Sequence, residues 1–339
     1  MSPSEGRQVS GVSRLFLSCD LIGSTAYKQR RSHHPQAPWQ KVFLQFYWEF
    51  PQQLRLLQSD KAHRDARNLQ FTLWKAVGDE LLFTCDVRCE TDVYAAVRLW
   101  VATMQEYASK SLSDKLIAAG DGARLGVKGG AFIATFPGPD SESSIPRRPD
   151  IDRTGRDVVD LNNDALSGTR NTEDYLYDYF GPSIDTGFRL FHESKSRYFT
   201  LSVEVAYVLA TLHVARGRRR RASDDLVLRL GAELKGVWGG RTYPVFALDL
   251  ESEDHIHRAF AVFEPPRDGV ARVLDLCRAC YHSANWPFHV YLPEARRNSP
   301  FLVPPIDPLA GYVGQSEVDP IHDDPPRPES LDEEASPLQ

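Results

Sequence analysis

The chain has 339 residues, 42% of them hydrophobic and 25% charged, with 46 acidic against 40 basic side chains. At roughly 150 residues per domain, that is one large or two small domains with ample apolar material for a core, which excludes a chain disordered throughout. No stretch approaches the roughly 18 to 20 uninterrupted apolar residues of a membrane span; the nearest, Val203–Ala215, carries Glu204 and His213. Residues Met1–Gln8 are polar and lack the apolar core of a signal peptide, so a soluble, cytoplasmic protein without a membrane partner is expected. Five irregularly spaced cysteines do not read as a disulfide framework. Cys277 and Cys280 fall inside a helical pattern, as side chains of a helix face rather than half of a zinc site.

In chain order, Arg14–Cys19 reads as a short apolar strand ending at Asp20, and Val42–Leu57 has helical apolar spacing. Phe71–Val77 and Leu81–Cys85 read as two strands joined through Gly78-Asp79-Glu80, a hairpin signal. Val93–Tyr107 is helical, Arg124–Ile133 is a glycine-interrupted strand, and Pro137–Thr172 is a long polar insertion loop. Ile184–Glu193 and Glu204–Ala215 are helices around a strand at Phe199–Val203, and Leu226–Leu230 with Tyr243–Leu248 closes the series as a strand pair. This order predicts an α+β domain over residues 1–250 with a ferredoxin-like βαββαβ core. A helical extension is expected over 251–298, and a proline-rich acidic tail over 299–339, where nine of the 23 prolines lie.

Four segments carry candidate chemistry. In Asp20-Leu21-Ile22-Gly23-Ser24-Thr25 a carboxylate at a strand end could bind a divalent metal, while Gly23, Ser24 and Thr25 let backbone N–H groups approach a polyphosphate. The alternative is that Asp20 and Ser24 only cap a turn. In Lys75-Ala-Val-Gly78-Asp79, Asp79 sits at the hairpin tip; if it converges with Asp20, the two carboxylates repel unless a cation lies between them. Asp185 and Arg189, spaced i, i+4 after Asp178-Tyr-Phe-Gly181, share a helix face, either as a surface ion pair or with Arg189 aimed at a reacting phosphate. Lys235, beside Gly236 at a strand end, could reach terminal phosphates.

In this order the four segments resemble the catalytic set of the class III nucleotidyl cyclases, over about Arg14–Leu248. The resemblance implies that Asp20, Asp79 and the carbonyl of Leu21 hold two divalent cations, Mn²⁺ or Mg²⁺. It implies that Lys75 and Asp178 face the nucleobase, that Asp185 orients the ribose and reacting phosphate, that Arg189 stabilises the transition state and that Lys235 holds the terminal phosphates. It further implies a homodimer whose composite sites take the metal half from one protomer and the base-and-arginine half from the other. Two positions depart from the family pattern: Asp185 where many members carry Asn, and Glu80 where a small residue is usual.

Hydrogen-bond logic alone leaves the base open, since an ammonium donor and a carboxylate acceptor suit adenine, uracil and cytosine alike. Tyr47, Tyr179 and Phe180 are candidates for filling a pocket down to pyrimidine size. The cyclase core near the N-terminus and the insertion before Asp178 resemble the free-standing pyrimidine cyclases of bacterial Pycsar anti-phage systems. That resemblance implies conversion of UTP to cyclic UMP, a second messenger acting on a separately encoded effector, with CTP and ATP as the alternative substrates. A reading of another class is a catalytically inactive nucleotide- or nucleic-acid-binding protein using the basic run Arg216–Arg221, but no aromatic residues interleave that run and a connecting loop is expected there. His33-His34 and His255-x-His257 lack a convergent third ligand for a metal. Val313–Gln339 carries eight acids and one base, which leaves the rest of the chain at +1 within a total of −6. The catalytic body is therefore expected to be nearly neutral and able to hold a polyanionic nucleotide once metals bind.

Overall fold

The alternation of Val12–Ile22 (β1) sends Leu15, Leu17, Cys19 and Leu21 to one face of a sheet and Phe16 to the other, and all five are buried. The computed structural model describes residues 11–31, 39–113, 125–151, 157–216, 225–252, 254–260 and 269–312. After β1 come α1 (Ser24–Arg31), α2 (Trp39–Gln58), β2 (Phe71–Val77), β3 (Glu80–Val87), α3 (Glu90–Glu106), β4 (Gly126–Lys128) and β5 (Gly130–Phe136). An excursion of β6 (Ser141–Pro146), α4 (Val158–Leu166) and β7 (Tyr175–Phe180) leads into α5 (Pro182–His192), β8 (Tyr198–Leu201), α6 (Val203–Arg216), β9 (Leu226–Glu233) and β10 (Thr242–Asp249). Two helices follow, α7 (His255–Phe260) and α8 (Val270–Tyr281).

The main sheet runs β2-β3-β1-β5-β8-β10-β9, with β4 also pairing β1 beyond the start of β5. Strands β2-β3-β1-β5, with α2 and α3 as crossovers, have the order and antiparallel pairing of a ferredoxin-like βαββαβ unit. The fold is thus α+β, and the sheet grows from the β5 edge through the parallel partner β8 and the antiparallel β10 and β9.

Helix α2 buries Val42, Phe43, Phe46, Phe50 and Leu54, a helical stripe that packs with α3 and α6 against the odd-numbered face of β1. The other face carries a smaller aromatic core of Phe16, Leu82, Phe132, Phe136, Ile184 and Phe191 under α5. Helix α5 lies unusually close to β5: a Cβ at Gly187 would sit 2.1 Å from the Phe132 ring. Any side chain at 187 would push the helix off the sheet and forfeit the burial of Ile184, Leu190 and Phe191, each of which stabilises the fold by about 1.5–3 kcal/mol.

Two segments differ from the sequence reading. Residues 137–172 are not one open loop: β6 pairs with β7 in register Ser141↔Phe180 to Pro146↔Tyr175, and α4 packs on this ribbon through Asn162, which donates to Ser141 Oγ at 2.9 Å. Strand β7, which carries Asp178, was not expected from the sequence; its run of aromatics pairs only with β6, outside the main sheet. The glycine-interrupted strand expected over 124–133 is found as β4 and β5, which keep one register on β1 on either side of Gly129, where a Cβ would lie 2.0 Å from the Ser18 carbonyl oxygen.

Residues 270–301 dock on the core. Helix α8 turns Val273, Leu274, Cys277 and Cys280 inward, and Phe288, Val290, Leu292 and Phe301 are buried behind it. Tyr291 N donates to Ser13 Oγ at 2.9 Å and Thr135 Oγ1 to the His289 carbonyl at 2.8 Å, fastening this strap across β1 and β5. His33-His34, most of the basic run at 217–221 and the acidic tail from Val313 lie outside the described residues.

Candidate active site

Asp20 and Asp79 lie close together although 59 positions separate them, because β1 delivers the first and the β2–β3 hairpin tip the second. Asp20 has Glu80 directly opposite on β3 and Lys128 opposite on β4. Burial and the negative charge of Asp79 raise its pKa, opposed by Lys128, whose ammonium is 3.3 Å away. Glu80 is raised too, by burial and then by Asp20. Asp79 is held by Lys28 of α1 at 3.1 Å. Gly23, Ser24 and Thr25 form the turn into α1, with Ser24 buried and Leu21 buried beside them. Lys28 and Lys128 were not singled out from the sequence; their only signal there is proximity to Ser24 and to Gly129-Gly130.

Among the described residues no three His, Cys, Asp or Glu side chains form a ready metal cage. Two carboxylates still fit a hard dication, because Mg²⁺ is usually held by one or two protein carboxylates with water and substrate phosphate completing the shell. Asp20 and Asp79 repel each other and are partly compensated by Lys128 and Lys28, at 3.3 and 3.1 Å, so a dication between them would meet two carboxylates of a kind suited to it. Tyr47 also lies at this end, where its hydroxyl donates to the Gly78 carbonyl and ties the hairpin tip to α2.

Lys75 and Asp178 meet on the α5 side of the sheet. Lys75 Nζ donates to both carboxylate oxygens of Asp178, at 2.8 and 2.9 Å. Trp74 Nε1 donates to Asp178 Oδ1 at 3.0 Å, and the Tyr179 backbone N–H to the same oxygen at 2.9 Å. Tyr179 itself turns the other way, where its hydroxyl accepts from Arg14 and its ring meets Phe16, Trp74 and Phe136. It borders a separate cavity of about 650 Å³ also lined by Arg14, Asp86 and Arg170. The cations there are already matched, Arg14 with Asp86 at 2.5 Å and Arg170 with Glu142.

Asp185, Arg189 and Phe180 line a cleft of about 580 Å³ between α5, the β9–β10 turn and the C-terminal strap, with Trp238, Asn285 and Phe288 on the far wall. Lys235 is exposed next to Gly236 of that wall. Arg189 Nη1 donates to the backbone carbonyl of Asp185 at 2.6 Å, not to its carboxylate, so the helix-face ion pair expected from the spacing is replaced by a main-chain contact.

One chain does not bring Lys235 to the carboxylate pair. From Asp20 the sheet passes three residues to the level of Leu17, Ala131, Leu201 and Phe246, then four more in the same direction to Thr242, opposite Glu233. At about 3.3 Å per residue, Lys235 lies more than roughly 20 Å along the strands from the carboxylate pair.

No protein-family model matches the sequence, and no curated protein matches it. Among solved structures, the adenylyl cyclase CyaB from Pseudomonas aeruginosa shares 13% identity over 70% of this chain and 94% of its own, with a TM-score of 0.47. The guanylyl cyclase Cya2 shares 14% over 71% and 93%, with a TM-score of 0.42. An adenylate cyclase of Trypanosoma brucei shares 14% over 75% and 94%, with a TM-score of 0.37. No helix among the described residues is long and apolar enough to cross a membrane.

Proposed function

We propose that the protein is a nucleotidyl cyclase, forming a 3′,5′-cyclic nucleotide and pyrophosphate from a nucleoside triphosphate in a homodimer with two composite sites. The observation that carries this reading is the convergence of Asp20 and Asp79 at one end of the sheet, with Arg189 and Lys235 at the other end of the same chain. A two-fold dimer would set the carboxylate end of one protomer against the cationic cleft of its partner.

Asp20 and Asp79 would hold the divalent cations, Mn²⁺ or Mg²⁺, with Glu80 as a further negative group beside them. Such ions, when bound, lower the pKa of a coordinated hydroxyl and neutralise phosphate charge. Lys75 and Asp178 read the edge of the base. Lys235 holds the terminal phosphates, and Arg189 meets the charge that grows as the 3′-oxygen bonds to the α-phosphorus and the bond to the pyrophosphate oxygen breaks. Asp185 supplies through its carbonyl the anchor that keeps the Arg189 guanidinium at the cleft.

The resemblance of the chain to free-standing pyrimidine cyclases favours UTP, with cyclic UMP passed to a separately encoded effector in anti-phage defence; CTP and ATP are the alternative substrates. Incubating the purified protein with each of ATP, GTP, CTP and UTP plus Mn²⁺, with products identified by mass spectrometry, tests both levels. Cyclic UMP is expected as the main product. Cyclic AMP alone would overturn the pyrimidine reading, and no cyclic nucleotide from any substrate would overturn the enzyme.

A further inference from the structure

In a regular strand Trp74 and Lys75 would point to opposite faces. Here the β2–β3 register runs Leu73↔Phe83 and then Lys75↔Leu82, so Trp74 is the extra residue of a β-bulge. The bulge turns both side chains to the α5 face, where Leu82 and Phe16 lie. Trp74 then engages both members of the base-reading pair: its Nε1–H donates to Asp178 Oδ1, and Lys75 Nζ sits 4.0 Å from its ring centroid. The indole is itself clamped, with ring centroids 5.1 Å from Phe16, 5.3 Å from Tyr179 and 5.7 Å from Phe188.

Hydrogen-bond accounting gives this consequence. Asp178 Oδ1 accepts from Trp74, Lys75 and the Tyr179 N–H, which fills it; among the described residues Oδ2 accepts only from Lys75. One oxygen of Asp178 and one N–H of Lys75 remain for a ligand, an acceptor beside a donor in fixed positions. Asp178 and Arg189 also belong to one continuous unit, β7 followed by α5, so the span from the base-reading edge to the guanidinium is fixed. A purine places its glycosidic nitrogen one fused ring farther from that edge than a pyrimidine does. Only a pair free to shift could serve both.

We infer that Trp74 is a positioning residue that sets base-size selectivity, by pinning Asp178 and Lys75 so that the site takes one ring size and rejects the other. This rests on the cyclase reading for the roles of Lys75, Asp178 and Arg189.

The test compares the full-length wild type, Trp74→Phe, which keeps a ring but loses the N–H, and Trp74→His, which retains a ring N–H. Dissociation constants of the four 3′-deoxynucleoside triphosphates with Mn²⁺ are measured by calorimetry, and kcat/KM for the four substrates by product formation. Circular dichroism selects the variants that keep the fold. Losing a hydrogen bond to a charged acceptor should narrow the purine-to-pyrimidine affinity ratio about tenfold in Trp74→Phe, and Trp74→His should keep most of it. A ratio unchanged in Trp74→Phe, or relaxed equally in both variants, would overturn the inference, as would a wild type that binds no nucleotide. If the wild type binds selectively but cyclises nothing, the enzymatic proposal fails while the affinity ratio still decides the role of Trp74.

Discussion

Glu204 is a buried carboxyl that makes stability depend on pH. It occupies the first turn of α6 at 2% exposure, among Tyr243, Tyr281, Cys277 and Cys280, and one of its oxygens makes no hydrogen bond among the described residues. Burial raises its pKa from 4.5 to about 7, with a smaller contribution from the charge of Asp140, while contacts with Ser202 and Trp286 oppose the shift. The folded state therefore prefers the neutral acid. Its contribution to stability is complete below the unfolded pKa of 4.5 and is lost as pH rises through about 7. The difference is on the order of 3 kcal/mol, from roughly 1.4 kcal/mol per pKa unit. Urea unfolding at pH 5.5 and pH 8 should show the wild type less stable at the higher pH, and Glu204→Gln should remove the roughly 2 kcal/mol of that difference that belongs to Glu204, leaving the share of Asp140, whose pKa burial raises to about 6. Equal slopes in the two proteins would refute the assignment.

At the scale of elements, α5 depends on a residue far outside it. Its N-cap, Gly181, has φ +137° and no side chain to offer, and a Cβ there would meet Asp140 Oδ1 at 2.4 Å. Asp140 caps the helix instead. Its Oδ1 accepts from the Ser183 N–H at 2.9 Å and its Oδ2 from the Thr135 N–H at 3.2 Å, joining the start of α5 to the end of β5. Asp140→Asn turns an amide NH₂ toward one of those N–H donors and should cost about 1–2 kcal/mol. In hydrogen exchange the amides of α5 should then open faster while those of α3 do not change; unaltered α5 exchange would show that the cap carries no weight. Nothing local announces this contact, since Asp140 sits in a stretch whose polar composition reads as loop. The same composition hides β6, whose Ser, Glu and Pro satisfy a two-stranded ribbon that needs little apolar surface. By contrast, β1, α2, α3 and the β2–β3 hairpin were legible because each buries one regular stripe or alternating face. Asp20 at a strand end, Asp79 at a hairpin tip and Asp185 with Arg189 on one helix could be placed from spacing alone, while the roles of these residues and of Lys75, Asp178 and Lys235 belong to the proposal. Trp74 was not, because a bulge breaks the alternation from which a facing is read.

For the whole molecule, the question is whether two ends of one sheet work as one site. Asp20 and Lys235 are held apart by paired strands, with β1, β5, β8, β10 and β9 in lateral sequence between them, so no side-chain rearrangement closes the gap within a protomer. A dimer resolves this only if each site draws its carboxylates from one chain and its arginine from the other. Asp20→Ala and Arg189→Ala should each be nearly inactive alone, the second by about 100-fold to 1000-fold as for loss of a transition-state donor. Mixed after both have dissociated, they form heterodimers in which one site combines both lesions and the other has neither. With random pairing half the dimers are mixed and half of their sites are intact, so activity should return to roughly a quarter of the wild-type level. Sedimentation or size-exclusion with scattering establishes that the mixture is dimeric. A dimeric mixture no more active than the two variants measured separately would mean that each chain builds its site alone, and that the carboxylate pair and the Arg189 cleft serve different ends.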